Sequence, residues 1–581
     1  MKHWGVRAAL AIGVSLALEP GLGAQGYLIW PFNGSGAGDV LGHAVAGVGD
    51  VDGDGVPDVA AGAPFADPGG IAEGGQVRVY SGASGSTLWT FAGSAPSMWL
   101  GFSVAPAGDV NGDNRDDVLV GIPGSNPGGA PGAGEARIYS GATGGILLSF
   151  SGVLAGEGVG WSVANAGDVD GDNVPDPIVG APAANVAGFI AAGRAFVVSG
   201  ASGGTIHTLQ NPTGGFEFFG YSVAGVGDVS GDGVRDLFVG VPGFSPATIL
   251  LLGEAFVFSG LDGSIVHTLF GGALAEVFGY AVAGPGDTNG DGVPDLLVGA
   301  PGGNPGGLPG LGFAEVYSGS TGALLVTVSG DQALDLLGWS VSGIGDVNGD
   351  GLADFLAGAP LAAPGLLPER GMVRVYSGGS GALLATVAGA SAFDELGFSV
   401  SGAGDVNGDG FPDLVGGARF ATIGGNAHAG QARVVSIVGI PLGAISMGVG
   451  CPGTAGISPV LATTGGLPST GNAAFSLTLG RGLGGAPAFL FMALGASPGG
   501  VTMAGCPVYL DIANMIYGAG TITLLTGPPG VPGVGTAWRP MGIPPAPVLI
   551  GTMVHFQWSV ADPGSPNGAF VFSNGLTVTV L

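Results

Sequence analysis

The chain is short of basic residues, and this shortage excludes several kinds of partner and chemistry. The 581 residues include only 13 Lys and Arg but 42 Asp and Glu, which gives a formal net charge of −29 at pH 7. Binding to nucleic acid depends on basic side chains that neutralise phosphates, so nucleic acid is not an expected partner. Lys2 is the single lysine, which leaves the rest of the chain without a lysine base, nucleophile or Schiff-base former.

Long apolar runs are also missing, apart from one short run at the N-terminus. Lys2 and Arg7 flank the start of an apolar run of eleven residues at 8–18, and Leu-Gly-Ala at 22–24 offers a small-residue cleavage site. Such a run is too short for a bilayer, which takes about 20 residues to cross. Residues 1–24 are therefore predicted to be a secretory signal peptide. No transmembrane segment is predicted, and the protein is expected to be secreted, or extracellular and associated with a cell surface.

Glycine is the opposite extreme, with 124 residues alongside 41 prolines. A disordered chain would carry few apolar residues and many charges, whereas this one is 46% hydrophobic and 9% charged. The glycines are periodic, because a nine-residue pattern, Asp-x-(Asp/Asn/Ser)-Gly-Asp-(Gly/Asn)-x-x-Asp, recurs at steps of 59 or 60 residues. The pattern begins at Asp50, Asp109, Asp168, Asp228, Asp287, Asp346 and Asp405. One structural unit is therefore copied seven times.

Each complete copy holds four short apolar segments separated by turn residues, with no helical periodicity. This pattern predicts an all-β fold, a seven-bladed β-propeller over residues 25–438. Residues 28–34 match the fourth strand of a copy, whereas the seventh copy ends after its third strand near Ser436. The N-terminal strand is expected to complete the last blade, which closes the ring and removes an exposed edge. The alternative is an open β-solenoid, in which the match between the N-terminal strand and the strand missing from the seventh copy would have no structural role.

The nine-residue loops carry the donor set of a calcium site. Calcium takes about six to eight oxygen ligands, and positions 1, 3, 5 and 9 supply side-chain oxygens while position 7 supplies a backbone carbonyl. Position 4 is always glycine and position 6 is glycine or asparagine, residues that tolerate the required bend. The predicted ligands are Asp50, Asp52, Asp54, Val56 and Asp58; Asp109, Asn111, Asp113, Arg115 and Asp117; Asp168, Asp170, Asp172, Val174 and Asp176; Asp228, Ser230, Asp232, Val234 and Asp236; Asp287, Asn289, Asp291, Val293 and Asp295; Asp346, Asn348, Asp350, Leu352 and Asp354; and Asp405, Asn407, Asp409, Phe411 and Asp413.

These loops are expected to hold up to seven structural Ca²⁺ ions. Carboxylates packed so closely repel one another unless a cation neutralises them, and the alternative, simple aspartate-stabilised turns, does not require three aspartates in every copy. Oxygen donors favour calcium over zinc or copper, and the bidentate glutamate that ends an EF-hand is missing. The fourth loop, with Ser230 at its third position, is expected to bind most weakly.

Several short motifs recur in order around the loops. They include Phe-Gly-Tyr-Ser-Val-Ala-Gly at 219–225, Gly-Asp-Val-Asn-Gly-Asp-Gly at 404–410, and Gly-Ala-Pro at 62–64, 180–182, 299–301 and 358–360. Over residues 27–438 this set resembles the FG-GAP repeat of the integrin alpha-chain propeller and of many secreted bacterial proteins. Gly-Ile-Pro at 121–123, Gly-Val-Pro at 240–242 and Gly-Ala-Arg at 417–419 depart from it. The resemblance implies adhesion or ligand binding, with an extracellular protein or glycan as partner, but it identifies no ligand.

A large side chain follows the first glycine of every copy. These residues are His43, Phe102, Trp161, Tyr221, Tyr280, Trp339 and Phe398. A ring of them could stack on sugars, but their equivalent strand positions favour packing between blades, with His43 as a core or rim histidine. The face opposite the loops carries long glycine-rich connections and is expected either to bind ligand or to be filler.

Cysteine is scarce, and both residues lie beyond the repeats. Residues 439–581 alternate apolar segments with glycine-proline turns and are predicted to form a β-sandwich domain. Cys451 and Cys506 are the only cysteine pair, and a single pair in an exported chain favours a disulfide between them.

The leading hypothesis is a secreted calcium-binding adhesion or recognition protein that uses the propeller as a ligand-binding scaffold. The alternatives are a carbohydrate-binding protein, a polysaccharide lyase or hydrolase on a calcium propeller, or a structural component of a cell envelope. An enzyme is not expected, because no nucleophile motif is present and Asp511, His555 and Asp562 form no catalytic constellation. No catalytic or organic-cofactor residues are therefore predicted.

Overall fold

A computed structural model describes residues 27–437, except 212–216, 244–251, 273–274 and 365–366. Beyond residue 437 it gives the bounds and pairing of strands, but not their side chains. The described residues contain strands, turns and three short 3-10 helices at Pro68–Gly70, Pro127–Gly129 and Pro305–Gly307. Within this part of the chain, no helix is long and apolar enough to cross a membrane. The predicted signal peptide lies outside it.

Seven four-stranded antiparallel sheets, the blades of a propeller, are built from residues 27–437. The prediction of a seven-bladed β-propeller is confirmed. In chain order the strands are β1 (Tyr27–Asn33), β2 (Ala44–Gly49), β3 (Asp58–Ala63), β4 (Gln76–Tyr80), β5 (Thr87–Ala92), β6 (Ser103–Gly108), β7 (Asp117–Ile122), β8 (Glu135–Tyr139), β9 (Ile146–Ser151), β10 (Ser162–Gly167), β11 (Asp176–Ala181), β12 (Arg194–Val198), β13 (Thr205–Leu209), β14 (Ser222–Gly225), β15 (Leu237–Val241), β16 (Glu254–Phe258), β17 (Ile265–Phe270), β18 (Ala281–Gly286), β19 (Asp295–Ala300), β20 (Phe313–Tyr317), β21 (Leu324–Ser329), β22 (Ser340–Gly345), β23 (Asp354–Ala359), β24 (Met372–Tyr376), β25 (Leu383–Ala388), β26 (Leu396–Gly404), β27 (Asp413–Ala418) and β28 (Gln431–Ser436).

The second strand of each blade forms its core. These strands, β3, β7, β11, β15, β19, β23 and β27, are buried along their whole length. They read as short apolar runs, such as DVLVGI in β7, which is typical of strands covered on both faces. The fourth strand lies farthest out, and in β9 no residue is fully buried.

A glycine near the end of each second strand lets successive blades touch through their backbones. A Cβ atom at Gly62 would lie 2.0 Å from the carbonyl oxygen of Gly101 in the next blade. The last blade meets the first in the same way, since a Cβ at Gly417 would lie 1.9 Å from the oxygen of Gly42. Packing between blades therefore requires the glycine of the Gly-Ala-Pro motif, whatever residues follow it.

The N-terminal strand completes the last blade, as predicted. Its sheet has the order β1-β28-β27-β26, with Tyr27 opposite Ser436 and Asn33 opposite Gln431. The indole Nε1 of Trp30 also donates a hydrogen bond of 2.8 Å to the carbonyl of Gly82 in the first blade. The ring is thus closed by pairing between the two ends of the propeller, which leaves no unpaired edge on β28.

The structure describes twelve further strands beyond the propeller. They form antiparallel sheets of seven, three and two strands. The β-sandwich for residues 439–581 stays a prediction, because two packed faces can be recognised only from side chains. The predicted disulfide between Cys451 and Cys506 likewise rests on side chains outside the described residues. These strands are β29 (Ala444–Met447), β30 (Val460–Thr464), β31 (Ser476–Gly482), β32 (Pro487–Ala493), β33 (Ala496–Met503), β34 (Cys506–Leu510), β35 (Met515–Tyr517), β36 (Ile522–Leu524), β37 (Gly535–Pro540), β38 (Met553–Ala561), β39 (Phe570–Phe572) and β40 (Gly575–Thr579).

Candidate cation loops and channel face

All seven nine-residue loops connect the first strand of a blade to its second strand, so they lie at the same end of the propeller. Each loop follows an inner strand such as β2 and ends where the buried second strand begins. In six blades the ninth residue is itself the first residue of that strand, as with Asp58 in β3. The repeat therefore presents its recurring pattern of oxygen donors in the same local setting seven times.

The first aspartate of each loop organises the turn around its own carboxylate. In the first loop, Oδ1 of Asp50 accepts the N–H groups of Gly53 at 2.7 Å and Asp54 at 3.0 Å, and Oδ2 accepts that of Gly55 at 2.9 Å. Gly53 and Gly55 have φ values of 76° and 85°. Asparagine replaces the second of these glycines in two loops, with φ of 62° at Asn114 and 66° at Asn173, because asparagine tolerates this conformation better than most residues.

The ninth aspartate is a buried anchor rather than an exposed ligand. Asp58 is fully buried, and its Oδ2 accepts the N–H of Val51 at 2.8 Å. Its Oδ1 accepts the N–H of Gly82, at 2.8 Å, from the turn between the third and fourth strands. The same bond joins the ninth aspartate to a glycine of that turn in the next five blades, namely Gly141, Gly200, Gly260, Gly319 and Gly378.

Burial makes these ninth carboxylates reluctant to ionise. Burial raises the pKa of Asp58 to about 6 and that of Asp354 to about 7, and the nearby carboxylates of Asp52 and Asp350 act in the same direction. Burial also raises the pKa of the ninth aspartate in the other five loops. A bound cation would supply the missing positive charge and restore the ionised form, so the loops fit a divalent ion.

Two loops bring three carboxylates close enough to share one ion. Oxygens of Asp50, Asp52 and Asp54 lie within 4.8 Å of one another, as do oxygens of Asp168, Asp170 and Asp176. In the remaining loops the third position is asparagine or serine, so an amide or hydroxyl oxygen would take that place. The donors are hard oxygens throughout, which suits calcium.

Loops four and seven differ from the others in their surroundings. The Ser230 hydroxyl lies 3.4 Å from Asp228 Oδ1 and 3.3 Å from Asp236 Oδ1, so it links the two ends of the fourth loop. In the seventh loop, Nδ2 of Asn407 donates to both oxygens of Asp413. Burial raises the pKa of Asp409 to about 6, whereas the fifth residue of other loops, such as Asp54, is exposed.

Four blades tie their outermost strand to the loop end of the next blade, which sequence reasoning missed. At the third residue of three of these strands, and at the fourth residue of β1, lies a tryptophan or histidine. Its ring nitrogen bonds to the carbonyl of the glycine whose N–H holds a ninth aspartate. The sequence did contain a signal for this contact, because tryptophan or histidine, each with a ring N–H, recurs at one position of the repeat. The pairs are Trp30 with Gly82 at 2.8 Å, Trp89 with Gly141 at 2.7 Å, His207 with Gly260 at 2.7 Å and His267 with Gly319 at 2.6 Å.

The seven large residues that follow the first glycine meet at the end of the propeller opposite the cation loops, where they surround the mouth of its central channel. Successive ring centroids are 4.6 to 5.6 Å apart, and Phe398 closes the circle onto His43 at 5.1 Å. The rings pack between blades, as expected, and they also border a cavity of about 290 Å³. His43 is a rim histidine whose pKa is lowered to about 4, by burial and by the charge of Arg419.

A strained turn projects each of these rings. The residue three positions earlier has a positive φ, and its carbonyl oxygen accepts the N–H of the ring residue. A positive φ is costly for a residue with a side chain, and such strain is concentrated at functional sites. The sequence carries no signal for it, because six of the seven are not glycine. They are Val40, Trp99, Gly158, Phe218, Val277, Leu336 and Glu395.

The stretches of the chain that match a known repeat family coincide with blades of the propeller. The FG-GAP repeat family matches residues 41–80, 100–139, 219–253, 278–324, 337–379 and 396–435. The third blade, from β10 to β13, is not among these matched stretches but has the same four strands. The repeat units recognised from sequence therefore coincide with structural blades.

The most similar curated proteins include integrin alpha chains. Integrin alpha-V of Gallus gallus is 33% identical over 215 residues, covering 35% of this chain and 20% of its own length. Integrin alpha-8 of Gallus gallus is 31% identical over 245 residues, covering 39% and 22%. Phosphatidylinositol-glycan-specific phospholipase D of Bos taurus is 36% identical over 169 residues, covering 26% and 20%. The matched region thus spans about a fifth of each relative.

Among solved structures, a complex of BBS1N with ARL6DN covers 71% of this chain and 97% of its own, with a TM-score of 0.42 and 8% identity. That overlap is too weak to support a conclusion. The six matched repeats and the integrin relatives agree with the closed ring of blades. The chain is an FG-GAP repeat protein with an integrin-alpha-like β-propeller.

Proposed function

We propose that this protein is a secreted recognition module whose propeller binds an extracellular ligand and is stabilised by calcium. The observation that carries the proposal is the regular spacing of the repeat, which places an oxygen-rich loop at the same end of every blade. The FG-GAP propeller of the integrin-alpha type is a ligand-binding scaffold. An adhesive role rests on that resemblance, since the fold does not specify a ligand.

Calcium would be held by the side-chain oxygens at positions 1, 3, 5 and 9 and by the carbonyl at position 7. Its chemical contribution is positive charge among crowded carboxylates. The chain's own residues provide the rest, because Asp50 shapes the turn and Asp58 ties it to Gly82. At a calcium concentration of about 100 times the dissociation constant, each site would add about 2.7 kcal/mol to the free energy of unfolding.

Calcium content and stability test this part of the proposal. The full chain is dialysed against EGTA and then titrated with calcium, and bound metal is measured by atomic absorption. Several ions per chain and a higher Tm in calcium than in EGTA are expected. Fewer than one bound ion per chain, with the same Tm in both buffers, would refute the calcium assignment. Magnesium at equal concentration is the control for nonspecific charge screening.

We also propose that the protein acts by binding and not by catalysis. Lys2 is the only lysine, and three of the histidines have a ring nitrogen bonded to a backbone carbonyl. These are His43, His207 and His267. A carbonyl only accepts a hydrogen bond, so the bonded nitrogen of each ring carries the proton and the ring is engaged in holding two blades together.

A binding screen tests the recognition role. The full chain is applied to an array of glycans and extracellular matrix proteins, in calcium and in chelator. Calcium-dependent binding to a protein spot is the expected result. Absence of binding in both buffers would contradict the recognition role and favour a structural component of a cell envelope.

Carbohydrate binding is the second candidate, and one observation favours it. Seven aromatic or imidazole rings surround a cavity of about 290 Å³ at the channel mouth, and aromatic faces are suited to stacking on the apolar faces of sugars. A glycan hit that is lost when Trp161 is changed to alanine, with the Tm unchanged, would support this candidate. A glycan hit that persists would place the binding elsewhere.

A further inference from the structure

Two turns of the propeller have the same backbone but different side chains. One follows β21 and leads into the sixth blade, and the other follows β25 and leads into the seventh. The N–H of Asp331 in the first turn donates to Asp335 Oδ2 at 2.9 Å, and the N–H of Ala390 in the second donates to Asp394 Oδ2 at 2.8 Å. Both turns lie at the end opposite the cation loops, because the fourth strand of a blade runs away from its loop. The exposed Asp331 is therefore matched in the second turn by the exposed Ala390.

An arginine of the following blade contacts each of these turns. In the sixth blade, Nη1 of Arg374 donates to the carbonyl of Ser329 at 3.3 Å, and its Nη2 pairs with the carboxylate of Asp331. In the seventh blade, Nη1 of Arg433 donates to the matching carbonyl of Ala388 at 3.4 Å. The second turn has alanine in place of Asp331, so that position supplies no carboxylate to Arg433.

A second arginine, Arg370, contacts the turn after β25. Its Nε donates to the carbonyl of Gly389, adjacent in sequence to the carbonyl that accepts from Arg433. One repeat earlier the residue at the position of Arg370 is Leu311, and one repeat later it is Ala429, and both are buried. Arg370 and Arg433 are buried as well, each 9% exposed. Two guanidinium groups therefore converge on one turn.

The two turns consequently differ in the sign of their charge. The turn after β21 combines one arginine with two aspartates, whereas the turn after β25 combines two arginines with one aspartate, Asp394. Within the described residues, Asp394 pairs with Arg433 at 3.3 Å, Glu395 pairs with Arg419 at 2.7 Å, and Arg370 forms no ion pair. Burial lowers the pKa of Arg433, and the charge of Arg370 acts in the same direction, against that of Asp394. Because buried charges are costly unless they are paired, the turn after β25 is short of one negative group.

We propose that Arg370 and Arg433 form a binding site for a carboxylate group of the extracellular ligand, in the place that the Asp331 carboxylate takes one blade earlier. A guanidinium binds a carboxylate through two parallel N–H donors. In the described part of the chain, Arg370 uses only Nε for a hydrogen bond, which leaves its two amino groups for the ligand.

The ligand group is a single carboxylate of a protein and not a run of carboxylates on an acidic polysaccharide. The chain has a formal net charge of −29, so a polyanion would be repelled by the surface around the site. This inference rests on the proposed recognition function, because it describes one group of the ligand that the propeller would bind.

Acetate is the probe, and its binding to the full chain is followed by saturation-transfer NMR of its methyl group. Ionic strength is held constant with chloride, and acetamide is the neutral control. Arg370→Leu copies the residue found one repeat earlier and should weaken acetate binding at least about tenfold, because a hydrogen bond to a charged group contributes at least that much. The matched control is Arg235→Leu, which removes the same charge from an exposed position at the other end of the propeller and should leave acetate binding unchanged.

A second variant tests the site without removing an arginine. Ala390→Asp gives the turn after β25 the carboxylate that the turn after β21 already has. A tethered carboxylate competes with a free one at high effective concentration, so this variant should bind acetate at least about tenfold more weakly than wild type. Folding of every variant is checked by circular dichroism.

Three results would overturn the proposal. They are transfer to acetate no greater than to acetamide in wild type, equal acetate affinity in wild type and Arg370→Leu, and equal affinity in wild type and Ala390→Asp. Oligogalacturonate at the same carboxylate concentration should bind no more tightly than acetate, and tighter binding would refute the restriction to a single carboxylate.

The array of extracellular ligands separates this inference from the proposed function. Protein binding on the array should fall at least about tenfold in Arg370→Leu. Binding that is unchanged in this variant would refute the role of the carboxylate site in recognition and leave the recognition function intact. Acetate binding by a chain that binds nothing on the array would refute the recognition function and leave the carboxylate site intact.

Discussion

Alanine at Asp291 separates the calcium role of a loop from its role in folding. Asp291 is the fifth residue of the fifth loop, is exposed, and accepts the N–H of Val293 at 2.9 Å through Oδ1 and the hydroxyl of Ser320 at 2.8 Å through Oδ2. Both bonds are open to water, so their loss should change the stability of the calcium-free protein little. In calcium, the same substitution removes a predicted carboxylate ligand.

The size of the expected effect follows from the linkage between binding and folding. An intact site at about 100 times its dissociation constant adds about 2.7 kcal/mol. Unfolding entropy is about 2.1 cal/mol/K per residue, so over roughly 400 propeller residues this loss corresponds to a Tm lower by about 3 °C. The difference should be present in calcium and disappear in EGTA.

Asp295 in the same loop should behave differently. From sequence alone, alanine at either position is expected to act only when calcium is present. The structure shows that Asp295 is fully buried and accepts the N–H groups of Thr288 at 2.8 Å and Gly319 at 3.0 Å. Each donor left unsatisfied costs about 1–3 kcal/mol. Asp295→Ala should therefore lower stability in EGTA as well, and a double variant should do so too.

Differential scanning calorimetry of wild type and variants, in calcium and in EGTA, measures both effects. The matched control is Asp262→Ala, because Asp262 is also exposed and accepts a nearby N–H, from Ser264 at 2.8 Å, but lies outside the loops. An equal fall in Tm for Asp291→Ala in both buffers would refute the calcium assignment for this loop. So would a calcium-dependent fall for Asp262→Ala.

Three further predictions concern closure, contact between blades and pH. Deleting residues 25–34 removes β1, so misfolding or aggregation is expected by size-exclusion chromatography; a soluble protein with an unchanged melt would contradict closure by this strand. Trp89→Phe loses the 2.7 Å bond to Gly141, worth about 1 kcal/mol, and should lower Tm by about 1 °C in calorimetry; the control Trp99→Phe, whose bond to Glu73 is exposed, should lower it less. In EGTA, Tm should rise as pH falls from about 8 to about 5, because the pKa values of Asp58 and Asp354, about 6 and about 7, exceed the ordinary value of about 4 and the folded state takes up protons first. The lowered pKa of His43, about 4, acts in the opposite direction and offsets part of this gain. In calcium, the gain in Tm due to the ion should shrink over the same range, since protons compete for the carboxylates; a fall of Tm with pH in EGTA would refute the sign.

The architecture was predictable because its signals are local and repeated. The steps of 59 or 60 residues marked the blades, and the strand-like residues 28–34 at one end matched the strand missing at the other. The glycine of Gly-Ala-Pro was recognisable in the sequence as part of a motif, but the sequence did not show why glycine is required there. Only the fold shows that it lies against the carbonyl of the next blade, as Gly62 does against Gly101.

The candidate sites were predictable only in part. Sequence spacing grouped Asp50 with Asp54 and Asp58, but it treated them as equivalent ligands. The fold makes the first two partly or fully exposed loop residues, whereas Asp58 is a buried anchor. The hydrogen bonds of Trp89 and His207 to neighbouring blades were missed, because each partner lies more than 50 residues away in sequence.

The sequence by itself determined the number of blades, the position of every oxygen-rich loop and the strand that closes the ring, because these features depend on residue type and period along the chain. Only the tertiary structure decided which aspartates are buried, that seven distant rings meet in one circle, and that Arg419 lies over Phe398 beside Glu395. Those outcomes depend on neighbours brought together by closure of the propeller, and spacing along one repeat does not encode the contacts that a repeat makes with the others.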